Sequence, residues 1–123
     1  MDDTFDSNSP IYLQLMKLFT IRIAGGEWGP GERVMTVRDL AVAFKVNPNT
    51  VQRALSEMER EGLMFTERTA GRFITNDQKR IDTARSELAE QEISDFIRHM
   101  KMLGYDKKDW MALVEELMKK ENI

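Results

Sequence analysis

Apolar positions recur at helical spacing in several stretches of the chain, and the clearest two adjoin each other between Thr36 and Leu63. In the first, Val37, Leu40, Ala41 and Phe44 fall on one face, and in the second Val51, Ala54, Leu55 and Met58 keep the i, i+3, i+4, i+7 spacing of a half-buried helix. Local start and stop signals frame both. Thr36 with Asp39 three residues on forms a Ser/Thr-x-x-acid start that satisfies orphan backbone donors. Asn47 is a good N-cap, Pro48 suits the first helical position where its missing N–H costs nothing, and Gly62 stands where a left-handed residue ends the helix. Two helices joined by a tight turn therefore span this stretch. Asn49, Thr50, Gln52 and Arg53 are left facing outward on the first turns of the second helix.

The pattern then changes. Leu63 to Thr66 reads as a strand, Glu67 to Gly71 as a turn and Arg72 to Thr75 as a returning strand, a small hairpin directly after the second helix. Upstream, Ser9 and Pro10 start a helix whose stripe is Ile11, Leu15, Leu18, Phe19 and Arg22, followed by a turn-rich connector in which Trp28 is expected to plug the core. Downstream, Asn76 to Lys79 is a short linker into a long helix with Ile81, Leu88, Ile93, Phe96, Ile97, Met100 and Leu103 inward. Gly104 stops it, Asp106 with Asp109 caps the next, and Trp110, Leu113, Val114, Leu117 and Met118 form a last stripe. One hairpin cannot bury both stripes, so a symmetric homodimer is the economical solution, with Ile93, Phe96, Ile97, Met100, Leu103, Trp110, Leu113, Val114 and Leu117 in its seam. The predicted fold class is mainly α with a small β-hairpin: a winged helix-turn-helix over residues 1–76 and a two-helix dimerisation tail over 77–123.

Composition narrows the chemistry. The 123 residues suffice for one compact domain with an appendage, and no cysteine is present, so disulfides, thiolate metal sites and a cysteine nucleophile are excluded. No stretch approaches the apolar length of a membrane span, and Met1 to Asn8 reads as a polar, frayed tail rather than a signal peptide, so a cytoplasmic protein without membrane contact is expected. His99 is the single histidine, with Asp95 one helical turn before it, which suits a solvated helix residue better than a metal ligand. No phosphate loop, nucleophile elbow or metal-ligand spacing occurs, so neither an enzyme nor a bound cofactor is expected. The nine methionines fit core and interface filling.

A formal net charge of −3 runs against nucleic acid, but its distribution does not. Between Arg33 and Thr75 seven basic residues (Arg33, Arg38, Lys45, Arg53, Arg60, Arg68, Arg72) meet five acidic ones, a surplus of two. Three of those acids, Glu57, Glu59 and Glu61, sit in the last turns of the second helix and read as a solvated face. An Arg with short polar groups on a helix N-terminus suits the major groove, where Arg forks onto guanine and Asn or Gln onto adenine.

Across Ser9 to Ile74 the chain closely resembles the DNA-binding domain of the GntR family of bacterial transcription regulators. The resemblance is carried by SPIYLQL (Ser9–Leu15), GEWGPGERV (Gly26–Val34), VRDLA (Val37–Ala41), VNPNTVQRAL (Val46–Leu55), EMEREGL (Glu57–Leu63) and GRFI (Gly71–Ile74). It implies that Arg38, Asn49, Thr50, Arg53 and Gly71 contact or approach a double-stranded operator. The residues themselves add Asn47 and Gln52 on the helix and Arg68 and Arg72 on the wing. Val34, Met35 and Thr36 stand where the family usually has Leu-Pro-Ser, and Thr69 and Ala70 replace a wing Gly, which makes the tip stiffer and its role electrostatic. The short tail resembles the YtrA subfamily, whose members dimerise through such helices. Together these features imply a regulator, expected to be a repressor, that binds an inverted repeat as a homodimer; no small-molecule effector is legible. The rival reading is a winged helix that docks proteins, which would place apolar anchors on the outer face of the second helix.

Overall fold

In the computed structural model, which describes residues 9–123, the chain runs α1 (Ile11–Ala24), α2 (Val37–Phe44), α3 (Pro48–Arg60), β1 (Met64–Glu67), β2 (Gly71–Ile74), α4 (Gln78–Met102) and α5 (Lys107–Lys120). The expected frayed tail, Met1 to Asn8, lies outside the described residues. The architecture is mainly α with one two-stranded antiparallel sheet, as the pattern of apolar positions implies. No helix of the described residues is long and apolar enough to cross a membrane.

Local chemistry starts and stops the helix pair. The Thr36 hydroxyl accepts the Asp39 N–H at 3.1 Å and starts α2. The Asn47 carboxamide accepts the Asn49 N–H at 2.7 Å and starts α3, with Pro48 in its first turn. At the far end of α3 the Leu63 N–H reaches the Met58 carbonyl and the Gly62 N–H the Glu59 carbonyl, both at 3.0 Å, with Gly62 at φ +76. That double bond satisfies two orphan carbonyls and needs a left-handed residue between them. It also moves the wing: the Leu63 N–H is committed to the helix end, so β1 begins at Met64 rather than Leu63, and the ladder closes on Glu67 opposite Gly71. The turn between α2 and α3 is made the same way by Lys45, which adopts φ 57, ψ 47 and passes the Val46 N–H back to Ala41.

Val51, Ala54, Leu55 and Met58 of α3 are all fully buried. They meet Leu15, Leu18 and Phe19 of α1, Leu40, Ala41 and Phe44 of α2, and Leu63, Met64 and Ile74 of the wing in one core. Phe19 is its aromatic hub, 5.4 Å from the Trp28 ring and 5.4 Å, edge to face, from Phe44. Trp28 packs against the core as expected. The stripe of α1 differs from the expected one: Met16, Thr20 and Ile23 are buried and Ile11 is 45% exposed. Because α1 lies against α3 and also carries Phe19 to Phe44 and Trp28, its buried arc is wider than a single-sided stripe. Arg22 sits at the edge of that arc, over the Phe44 ring at 4.8 Å and paired with Glu27 at 3.0 Å. The buried Thr20 hydroxyl is satisfied by the Met16 carbonyl at 2.7 Å.

The segment before α2 adds a feature that hydrophobic spacing does not report. The Gly31 N–H donates to the Ile74 carbonyl at 3.0 Å, the Ile74 N–H to the Glu32 carbonyl at 2.9 Å and the Val34 N–H to the Arg72 carbonyl at 2.8 Å, so β2 is paired on both edges.

Two compact units divide between Ser86 and Glu87, inside α4. The first turns of α4 belong to the winged-helix unit: Ile81 and Ala84 are part of its core. Arg80 donates through Nε to the Glu61 carbonyl at 2.6 Å, and Arg85 donates to the Ala24 carbonyl at 3.1 and 2.8 Å. Both guanidinium groups thus sit at helix C-termini, of α3 and α1, where orphan carbonyls and the negative dipole end favour a cation.

In the second unit the Asp106–Asp109 capping box starts α5 as expected. Phe96 and Trp110 pack edge to face at 5.3 Å and join α4 to α5. No residue of α5 is buried, and Ile93 (58%), Leu103 (68%) and Leu117 (48%) stay exposed.

Phe19→Ala is expected to lower the unfolding free energy by about 3–5 kcal/mol, the range for emptying a buried aromatic site, and Phe19→Leu by much less. Urea unfolding at fixed protein concentration measures both; near-equal losses would remove Phe19 as the hub.

Candidate nucleic-acid interface

With its four anchors buried, α3 turns Asn49, Gln52 and Arg53 to solvent and leaves Thr50 half-buried. Ser56 and Arg60 continue the same exposed face, and no apolar side chain interrupts it. Asn47 is exposed beside them, but its carboxamide oxygen is occupied as the N-cap acceptor. Gln52 donates to the Ser56 hydroxyl one turn on at 3.3 Å. The Arg53 guanidinium lies over the Tyr12 ring, 3.8 Å from its centroid. Arg38 on α2 and Arg68 at the wing turn are exposed, and among the described residues neither enters an ion pair.

The wing departs from expectation at Arg72. Its side chain is only 19% exposed, and its Nε stands 3.3 Å from Glu59 Oε1, the same oxygen that accepts the Thr66 hydroxyl. Arg72 is therefore turned onto α3 as a strut, not displayed as a cation on the hairpin. The reason is alternation along β2: with Phe73 stacked on Phe65 at 5.8 Å on one face, Arg72 must take the other. Gly71 has φ +114, and a Cβ there would meet the Arg33 guanidinium at 3.1–3.2 Å. The positive φ favours glycine here, and a Cβ would also make the Arg33 guanidinium shift by a few tenths of an ångström.

The three glutamates expected as a solvated face are engaged as well. Glu57 pairs with Arg60 at 3.7 Å, Glu59 with Arg72 at 3.3 Å and Glu61 with Arg80 at 4.0 Å. Their charge is cancelled close to where it arises. Among the described residues, Arg53 at the exposed front of α3 enters no ion pair.

Sequence reasoning gave Tyr12 no role of its own and counted Arg33 only as one basic residue among seven. Both act across the fold, on Arg53 and Gly71, and no spacing rule within one helix reaches such pairs.

The family model for bacterial regulatory proteins of the gntR family matches residues 11–74, the span from α1 through β2. The chain belongs to the GntR family. It is 39% identical over 111 residues to the HTH-type transcriptional regulator YhcF of Bacillus subtilis, covering 90% of this chain and 92% of that protein. The HTH-type transcriptional repressor YtrA of the same organism is 38% identical over 73 residues, 59% of this chain and 56% of YtrA. Among solved structures, a GntR family transcriptional regulator from Listeria monocytogenes superposes with a TM-score of 0.82 at 35% identity, covering 91% of this chain and 98% of that one. The chain is thus a GntR-family transcriptional regulator with a winged-helix DNA-binding fold. Within that fold, its GntR wing is braced by Glu59, Thr66 and Arg72.

Glu59→Ala is expected to cost about 1 kcal/mol, because it removes the partner of both Arg72 and Thr66, and Arg72→Ala less, because Glu59 keeps the Thr66 hydroxyl. The double variant should cost less than the two together, with a coupling of about 0.5 kcal/mol. Denaturant unfolding of all four proteins measures this, and hydrogen exchange should quicken at the amides of β1 and β2. Additive losses would show that the pair does not brace the wing.

Proposed function

We propose that this GntR regulator is a repressor of the YtrA subfamily that binds an inverted-repeat operator in cytoplasmic double-stranded DNA as a homodimer. Its DNA-binding domain extends past residue 76 through the first turns of α4, and the dimerisation tail follows from Glu87. The observation that carries the reading is the front of α3: an exposed polar and cationic first turn on a helix whose far side is locked into the core. A protein-docking helix would carry apolar anchors there. Arg53, Gln52, Asn49 and Thr50 face the base edges, Arg38 and Arg68 meet phosphates, and Gly71 allows close approach of the wing. Asn47 contributes as the cap that holds the first turn, and Arg72 as the brace that holds the wing. The name of Bacillus subtilis YtrA, a transcriptional repressor, supports the sign of regulation.

The tail supports the homodimer. Ile93, Leu103, Leu113 and Leu117 are exposed, and each such side chain contributes about 1.5–3 kcal/mol when covered, enough in sum to offset association entropy. Phe96 and Trp110 close the hairpin, and Ile97, Met100 and Val114 flank them half-buried. A two-fold axis through two such tails gives two winged helices and therefore two half-sites about one helical turn apart, or a multiple of it.

Arg53→Ala should weaken binding by about 1–3 kcal/mol and relax preference at one operator position, measured against a duplex that the parent protein enriches from a randomised pool. Unchanged affinity and preference would remove Arg53 from base reading. Leu113→Asp, which puts an unpaired charge in the seam, should give a folded monomer with weak operator binding. Sedimentation and gel-shift titration on one sample decide it, and a variant that stays dimeric, or a monomer that binds as tightly as the parent, would sink the tail's assignment.

A further inference from the structure

Arginine at the front of a recognition helix has a problem of its own: it is long, and at an exposed position it samples many rotamers, all but a few of which miss the base. Here Arg53 does not project freely. Its guanidinium carbon stands 3.8 Å from the centroid of the Tyr12 ring, well inside cation–π range. Tyr12 lies in the first turn of α1 and is half-buried against the core, so the platform under Arg53 is held by a different helix from the one that carries it. Among the described residues no carboxylate pairs with Arg53, so the ring is its one recorded partner. The pair forms part of the wall of an open cleft of about 440 Å³ whose remaining lining is Pro10, Ile11, Asn49 and Thr50. The cleft thus joins the start of α1 to the first turn of α3.

The geometry of a guanidinium makes this contact compatible with reading a base. Its five N–H donors lie in the plane of the group, whereas a stacked ring covers a face. At 3.8 Å an edge-on guanidinium would press a nitrogen into the ring, so the group turns its face to Tyr12 and keeps the in-plane fork that grips guanine O6 and N7 available.

We infer that Tyr12 is a positioning residue for operator recognition, its ring holding the Arg53 guanidinium pre-ordered so that the base contact loses less side-chain freedom on binding. This rests on the reading of Arg53 as a base-contacting residue. Neither the periodicity of α1 nor its helical caps point to Tyr12 in this role, because its effect is exerted wholly through a side chain on α3. The aromatic face is the active feature, so phenylalanine should serve in its place and an aliphatic side chain of similar bulk should not.

The experiment is a double-variant cycle on the full chain, using as probe a duplex enriched by the parent protein from a randomised pool. Tyr12→Leu should weaken binding about two- to fivefold, the worth of an exposed cation–π contact, and should flatten preference at the same operator position that Arg53→Ala flattens. Tyr12→Phe should bind and discriminate like the parent. In the Arg53→Ala background, Tyr12→Leu should change nothing further, which also separates positioning from any general loss of folding, since a folding defect would persist in both backgrounds. A Tyr12→Leu loss of equal size in both backgrounds, or tighter binding on removing the ring, overturns the positioning role while leaving Arg53 as a reader. If Arg53→Ala alone leaves affinity and preference untouched, the base-reading assignment falls and the inference falls with it.

Discussion

Rotation of α3 about its own axis is the constraint on which the surface of this regulator depends. Successive helical side chains are about 100° apart, so burying Val51, Ala54, Leu55 and Met58 leaves the helix no rotational freedom. Asn49, Gln52 and Arg53 point outward as a consequence of what their neighbours bury. The two ends of α3 are fixed with equal economy, by the Asn47 cap at the front and the Gly62 turn at the back. A residue's chemistry at the front is therefore inseparable from packing behind it.

Electrostatics follow from the same placement. An acidic chain makes a poor ligand for a polyanion only if its carboxylates share the surface that meets the phosphates. Here the glutamates of α3 lie in its last turns and are matched by Arg60, Arg72 and Arg80. Each of these pairs is individually modest, partly exposed and screened by salt. Their collective effect is geometric: Arg72 stiffens the hairpin against α3, and Arg80 reaches from α4 to the end of α3.

Most of the fold was legible in the sequence because its signals are local. The Thr36 and Asn47 caps, Pro48 at the start of α3, the Gly62 turn and the Asp106–Asp109 box each operate within three or four residues, and all stand where spacing implied. The apolar faces of α2 and α3 were legible for a related reason, since each helix buries one side. Where a helix serves several neighbours the signal blurred: α1 buries Met16, Thr20 and Ile23 beyond its simple stripe. At the site, exposure of Asn49, Gln52 and Arg53 could be read from the pattern, but the turning of Arg72 onto Glu59 and the stacking of Arg53 on Tyr12 could not. These contacts join residues far apart in sequence, and charge alone does not say whether an arginine will find solvent, a carboxylate or a ring.

The arginines at the start of α4 bear on what can be moved between proteins as a part. A segment cut after Ile74, where the family's shared span ends, would carry every residue of the recognition face yet lose the groups that cover the Ala24 and Glu61 carbonyls and the side chains of Ile81 and Ala84 that complete the core. Exchange of DNA-binding heads between regulators, whether by recombination or in the laboratory, is thereby constrained to joints further along, within α4 beyond Arg85. The heritable module is longer than the motif that defines it.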